Sequence, residues 1–75
     1  MERIVRNTVW RHYKGGHYRV LCMAAHSENF ESLVVYQCLY DKLRIYARPE
    51  TMFTGPVIVD GKRQRRFEYV GKLDP

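Results

Sequence analysis

The side chains with the widest chemical scope in this chain are three histidines, two cysteines and nine arginines. His26 and Glu28 stand two apart. In an extended segment such residues share a face with α-carbons about 7 Å apart, so the carboxylate could orient the imidazole. Catalysis would also need a nucleophile, a second acid or a metal, and nothing around Ser27 or Ser32 activates either hydroxyl. Three roles stay open for the pair: hydrogen bonds that fix their own loop, ligand binding, and catalysis, the last without its partners. A metal site would have to draw on Cys22, His26, Cys38, His12 and His17. Cys22 and His26, four apart on a strand, would lie roughly 13 Å from one another, and no C-x-x-C or H-x-x-x-H pair is present. The sequence therefore predicts no metal and no cofactor.

Arg63, Arg65 and Arg66 stand beside Phe67 and Tyr69, and Arg44, Tyr46 and Arg48 alternate elsewhere in the chain. Cations interleaved with rings are what nucleotide and nucleic-acid binders use, charge holding phosphate while rings stack bases. The competing account is that six tyrosines serve a small core with their hydroxyls at its rim, while Lys62 to Arg66 is a solvated loop. Lys14-Gly15-Gly16 lacks the strand, long loop and helix of a phosphate loop, so it reads as a hairpin turn whose corner lysine is free to meet an anion.

Composition sets the frame for these residues. Lys and Arg outnumber Asp and Glu 13 to 8, a formal charge of +5 that favours an anionic partner or simply keeps a small protein soluble. With 45% hydrophobic and 28% charged residues the chain is expected to be neither a disordered tail nor a membrane protein. No apolar run approaches a membrane span, and Met1 to Arg6 lacks the apolar core of a signal peptide, so a cytoplasmic protein without membrane partners is expected. Cys22 and Cys38 lie in apolar runs and read as reduced core residues. Seventy-five residues make one domain, with its core over 9–70 and loose ends at 1–7 and 71–75. Stability of about 5 kcal/mol is expected of so small a domain, and a dimer interface would add to it.

Short apolar and aromatic runs alternate with turn residues, which predicts a mostly β small barrel or sandwich of five to six strands. The first strand is Val9 to Tyr13, and the second runs from His17 to His26 with Tyr18, Val20, Cys22 and Ala24 opposite Leu21, Met23 and Ala25. Both of its faces are apolar, so it should be central, paired with Leu33 to Tyr40. Asp41-Lys42 suggests a tight turn into Leu43 to Ala47, with Leu43, Ile45 and Ala47 inward and Arg44, Tyr46 and Arg48 outward. Pro49 suits the start of one helical turn over Arg48 to Phe53, with Met52 and Phe53 plugging an open barrel end. Val57 to Val59, the turn Asp60-Gly61, the basic run and Phe67 to Val70 read as a final hairpin.

One ordered set of motifs is His12-Tyr13-Lys14-Gly15-Gly16, Tyr18-Arg19-Val20, His26-Ser27-Glu28, Leu33-Val34-Val35-Tyr36, Leu39-Tyr40, Arg48-Pro49, Met52-Phe53 and Val59-Asp60-Gly61-Lys62-Arg63. By these the chain resembles the bacterial and phage family of domain of unknown function 1653. The resemblance implies a small SH3-like β roll and brings no activity with it. The chain departs from the family pattern where Gln64-Arg65 replaces an apolar residue and a proline, and where Tyr46 stands for a more usual tryptophan.

The residues and the resemblance together lead to a non-enzymatic binding module. Its barrel end would be lined by His12, Lys14, His26, Glu28, Tyr36 and Arg48 and would receive an anionic, nucleotide-like ligand or nucleic acid. Two alternatives stand beside it. The occurrence of the family in phages suggests a protein that sequesters a small signalling nucleotide between subunits of a homo-oligomer, and an exposed strand edge would suit a protein-interaction adaptor.

Overall fold

The computed structural model describes residues 4–73. The chain is mostly β: β1 (Thr8–His12), β2 (His17–Ala25), β3 (Ser32–Cys38), β4 (Ile45–Pro49), the single turn of helix α1 (Glu50–Phe53), β5 (Pro56–Val59), β6 (Lys62–Arg65) and β7 (Phe67–Lys72). Five strands form an antiparallel sheet in the order β4-β3-β2-β1-β7, and β5 pairs with β6 in a separate two-stranded sheet. Among the described residues no helix is long and apolar enough to cross a membrane.

Seven strands replace the expected five to six because the basic run is itself a strand. Asp60 and Gly61 both take positive φ, 50° and 77°. That combination suits a two-residue hairpin turn whose twist matches its flanking strands, so β6 folds back on β5 and not on β7. β7 instead runs antiparallel to β1 and carries Phe67 to a position opposite His12. The first hairpin turns as expected at Gly15, with φ 105°.

The core lies on one face of the large sheet. β3 alternates strictly, with Val34, Tyr36 and Cys38 buried, and Trp10, Val20 and Phe67 join Val34 and Tyr36 from neighbouring strands. α1 swings Phe53, 1% exposed, onto Trp10, Tyr36 and Phe67, so the expected plug is this ring alone, while Met52 stays 48% exposed. Burial of a side chain of this size contributes about 2 to 3 kcal/mol. Buried Thr8 is satisfied locally: its hydroxyl donates to the Val5 carbonyl at 2.6 Å and accepts from Trp10 Nε1 at 2.9 Å.

Several expectations need correction. β2 is central, but its register shifts between Val20 and Cys22. This bulge turns Cys22 opposite Val35, on the side away from the core, so Cys22 is exposed and only Cys38 is a buried thiol. β4 shows the reverse of its expected faces. Tyr46 pairs with Tyr36 and Arg48 with Val34, both core residues, which places Tyr46 and Arg48 on the core side and leaves Ile45 59% exposed. A one-residue difference in register exchanges the two faces of a strand. Asp41-Lys42 is not a two-residue turn but part of a 3-10 turn over Asp41–Leu43 with three successive positive φ values of 37°, 63° and 52°. The ends are tied and not loose where described. Ile4 packs on the core, the Asn7 N–H donates to the Val20 carbonyl, and the Leu73 N–H donates to the Asn7 carbonyl. Residues 1–3 and 74–75 lie outside the described residues.

Candidate functional site

His12 ends β1 on the core side of the sheet, its ring 5.0 Å from that of Phe67, 4.4 Å from Tyr13 and 6.2 Å from Tyr18 between centroids. Because the chain turns directly after it, the Lys14 backbone N–H reaches back and donates to His12 Nδ1 at 3.2 Å. Nε2 therefore carries the proton of the neutral ring. Burial, and then the positive charges of Arg48, Arg66 and Lys14, hold the His12 pKa below its ordinary 6.5. At pH 7 this imidazole is a neutral hydrogen-bond donor among cations.

Those cations come from three elements. Arg48 of β4 leans along the sheet, and its Nε–H donates to the Tyr36 hydroxyl at 3.2 Å. Arg66 lies between β6 and β7, where its Nε–H donates to the Met52 carbonyl at 3.0 Å while its own carbonyl accepts from the Tyr13 N–H. Lys14 is exposed at the turn, its Nζ 5.8 Å from the Tyr13 ring centroid. Each arginine is positioned by a neutral acceptor, so its charge is not cancelled. The one ion pair among the described residues is Arg11 with Glu68 at 3.3 Å. Cations gathered this way raise the local positive potential and favour an anion, which the guanidinium forks can grip in two-point fashion.

Tyrosines extend the site. Tyr18 and Tyr40 share a hydrogen bond of 2.9 Å between their hydroxyls, and the Tyr18 ring stands 5.4 Å from Tyr36. Burial and then the bond to Tyr40 push the Tyr18 phenol pKa well up, so it stays a neutral donor or acceptor at any physiological pH. Tyr40 rests against Gly16 so closely that a Cβ there would collide with its hydroxyl. Tyr46, opposite Tyr36 with ring centroids 5.9 Å apart, remains half exposed.

Four of the six expected ligand residues, His12, Lys14, Tyr36 and Arg48, thus belong to one neighbourhood. His26 and Glu28 do not. They sit in the turn beyond the far end of nine-residue β2, whose near end adjoins the Lys14 turn. Of the roles left open for the pair, the hydrogen bond that fixes their own loop is the one present, the Glu28 backbone N–H donating to His26 Nδ1 at 3.1 Å. The basic patch also divides. The charge of Arg66 acts on His12, whereas Arg63 and Arg65 line a mostly apolar groove of about 370 Å³ beside Trp10, Pro56 and Phe67. Arg44 precedes β4 and is held by its carbonyl, which accepts from the Cys38 N–H. Phe67 is buried and offers no free face for base stacking, and Tyr69 is half-buried with its ring T-shaped to Trp10. Sequence reasoning missed Tyr18 and Tyr40 as site residues. The alternation of Tyr18 with Val20 was a usable signal for the first, while nothing local marks the second.

Chemically, the cluster offers charge, forked N–H donors, one neutral imidazole and tyrosine hydroxyls, without a hydroxyl or thiol nucleophile activated by a base. Among the described residues no group of three or more His, Cys, Asp or Glu side chains converges as metal ligands would.

The family model of DUF1653, a protein of unknown function, matches residues 8–69. A crystal structure of a DUF1653 protein from Bordetella bronchiseptica is 39% identical and superposes with a TM-score of 0.80, over 93% of this chain and 92% of that one. No curated protein matches the chain.

Proposed function

We propose a function for this chain, which belongs to the DUF1653 family, from the chemistry of its site: a non-enzymatic binding module for an anionic, nucleotide-like ligand. The observation that carries this reading is the convergence of Arg48, Arg66 and Lys14 around a neutral His12 with no carboxylate pairing any of the three among the described residues. Phosphate oxygens would meet the free guanidinium N–H groups and His12 Nε2, and the half-exposed Tyr40 and Tyr46 rings supply aromatic surface for a base. Charge gathered around His12 by Arg48, Arg66 and Lys14, and not along a stripe, favours a compact ligand over a long nucleic acid. Free thiols at Cys22 and Cys38 suit a reducing, cytoplasmic setting for such a ligand.

Calorimetric titration with pyrophosphate, a nucleoside triphosphate, the parent nucleoside and a single-stranded oligonucleotide tests this. The triphosphate should bind more tightly than either pyrophosphate or nucleoside, and Arg48→Ala or Arg66→Ala should weaken it about tenfold or more, as loss of a charge-assisted contact does. Equal affinity in wild type and in both variants would remove the site. A preference for the oligonucleotide, with affinity falling steeply as salt is added, would shift the assignment to nucleic acid.

A further inference from the structure

The turn between β2 and β3 presents Phe30, which at 78% exposure is the most exposed large hydrophobic residue among the described ones. Its backbone lies in the left-handed region with φ 59°, a conformation a bulky residue adopts only where its surroundings impose it. Four hydrogen bonds impose it here. The Phe30 N–H donates to the His26 carbonyl and the His26 N–H to the Glu31 carbonyl, both at 2.8 Å. The Glu28 N–H donates to His26 Nδ1, and the Glu31 N–H donates to Asn29 Oδ1 at 2.9 Å. An apolar ring held out in water on a stiff, strained turn is the form of an interface anchor, since its ordering cost is met before any partner arrives.

What the ring would enter is set by its flanks. Glu28 and Glu31 are exposed on either side of it, in a chain whose net charge is +5. The complementary surface is therefore an apolar groove with a basic rim, and this protein carries one. The groove of about 370 Å³ is lined by Trp10, Pro56 and Phe67 and by the polar Thr54, Gln64, Arg63 and Arg65. A cavity of roughly 150 Å³ already admits a benzene ring, so the groove has room for a phenylalanine side chain. Phe30 does not occupy the groove of its own chain, since it stands in solvent on a turn that its hydrogen bonds keep rigid.

We propose that Phe30 seats in the Arg63–Arg65 groove of a second copy of this chain, with Glu28 and Glu31 facing the two arginines. Opposite charges on anchor and rim would steer the encounter and fix its orientation. Mutual seating about a two-fold axis gives a closed pair, and one-way seating gives rings or longer assemblies. Phe30, Arg63 and Arg65 are not among the residues gathered around His12, so self-association and anion binding can fail separately.

Sedimentation velocity over a wide range of protein concentration tests the contact. The wild-type chain should self-associate, and salt should weaken the association. Phe30→Ser, and independently the double variant Arg63→Glu with Arg65→Glu, should each weaken it at least about tenfold, as loss of an interface hot spot does. Circular dichroism should show both variants folded, because all three positions are exposed. A mixture of the two variants should recover a one-to-one complex, because one copy keeps the anchor and the other keeps the groove. A wild-type chain that stays monomeric at every concentration would overturn the proposal, as would Phe30→Ser associating as strongly as wild type. Phe30-dependent binding to neutral phospholipid vesicles by a monomeric chain would overturn it in favour of a membrane anchor.

Discussion

Phe53 of α1 and Phe67 of β7 stack face to face, their centroids 4.1 Å apart and their planes 7° from parallel. Both rings are buried, and each also meets Tyr36 at an edge. This contact joins the helical turn to the last strand. Phe53→Ala should cost about 3 to 5 kcal/mol, a large share of the stability of so small a domain. Phe53→Leu should cost less because it leaves a smaller void. Urea unfolding of the two variants would measure the difference, and equal midpoints for Phe53→Ala and wild type would show that α1 does not close the core.

The thiols differ in access. Cys22 is exposed behind the bulge, while Cys38 is buried with its Sγ–H directed at the Tyr40 carbonyl, 2.9 Å away. A thiol reagent should therefore titrate one group rapidly in the folded protein and the second only on unfolding. Cys22→Ser should abolish the rapid phase and leave stability within about 0.5 kcal/mol of wild type, as exposed substitutions usually do. Two equally fast thiols would contradict the bulge.

His12 gives the domain an acid-side pH dependence. Its pKa is lowered in the folded chain, first by burial and then by Arg48, Arg66 and Lys14, so below 6.5 the unfolded state binds more protons than the folded one. Its stabilising contribution is full above pH 6.5 and is lost as pH falls through the depressed folded value. His12→Gln should reduce the loss on acidification. A bound anion offsets the three cations and raises the His12 pKa, so the complex takes up a proton. Affinity for sulfate, which does not itself titrate in this range, should rise as pH falls toward 6.5 and below. His12→Gln should flatten that rise in calorimetric titrations, and an unaltered pH profile in the variant would place the anion elsewhere.

Gly16 is required by Tyr40 and not by its backbone angles, since the positive φ of this turn falls at Gly15. Gly16→Ala should displace the Tyr40 ring and part it from the Tyr18 hydroxyl, at a stability cost of about 1 kcal/mol because the half-exposed ring can swing aside. Gly15→Ala meets no neighbour but must hold φ 105°, so its loss should be larger. Thermal unfolding of the pair decides whether contact or conformation governs the turn.

Turn chemistry and alternation were legible in the residues. Lys14-Gly15-Gly16 and Asp60-Gly61 mark the two tightest hairpins, and the runs through Val20 and Tyr36 meet as neighbouring central strands. The family resemblance was legible too, in motifs that all lie within the matched residues. The bulge after Val20 was not, because no residue there is a glycine or proline and a period of two continues through it in type if not in space. Nor was the orientation of β4. Alternation placed apolar Ile45 inward, yet pairing with Tyr36 and Val34 decides the face, and the outer side of the sheet carries apolar side chains without a covering layer. His26 and Glu28 were joined to the site on residue type and family motif. Strand length then separated them from it, since the two ends of β2 belong to different ends of the sheet.

The pairing of β7 with β1 bears on how the chain is made as well as on how it stands. β1 lies between β2 and β7, and the Leu73 N–H reaches the Asn7 carbonyl at 2.7 Å. As the polypeptide leaves the ribosome, β1 through β4 can pair in order, but one edge of β1 stays open and the core lacks Phe67 until the last strand emerges. Native packing therefore forms after most of the chain is already in solution, and until then a bare strand edge is exposed to other nascent chains and to chaperones.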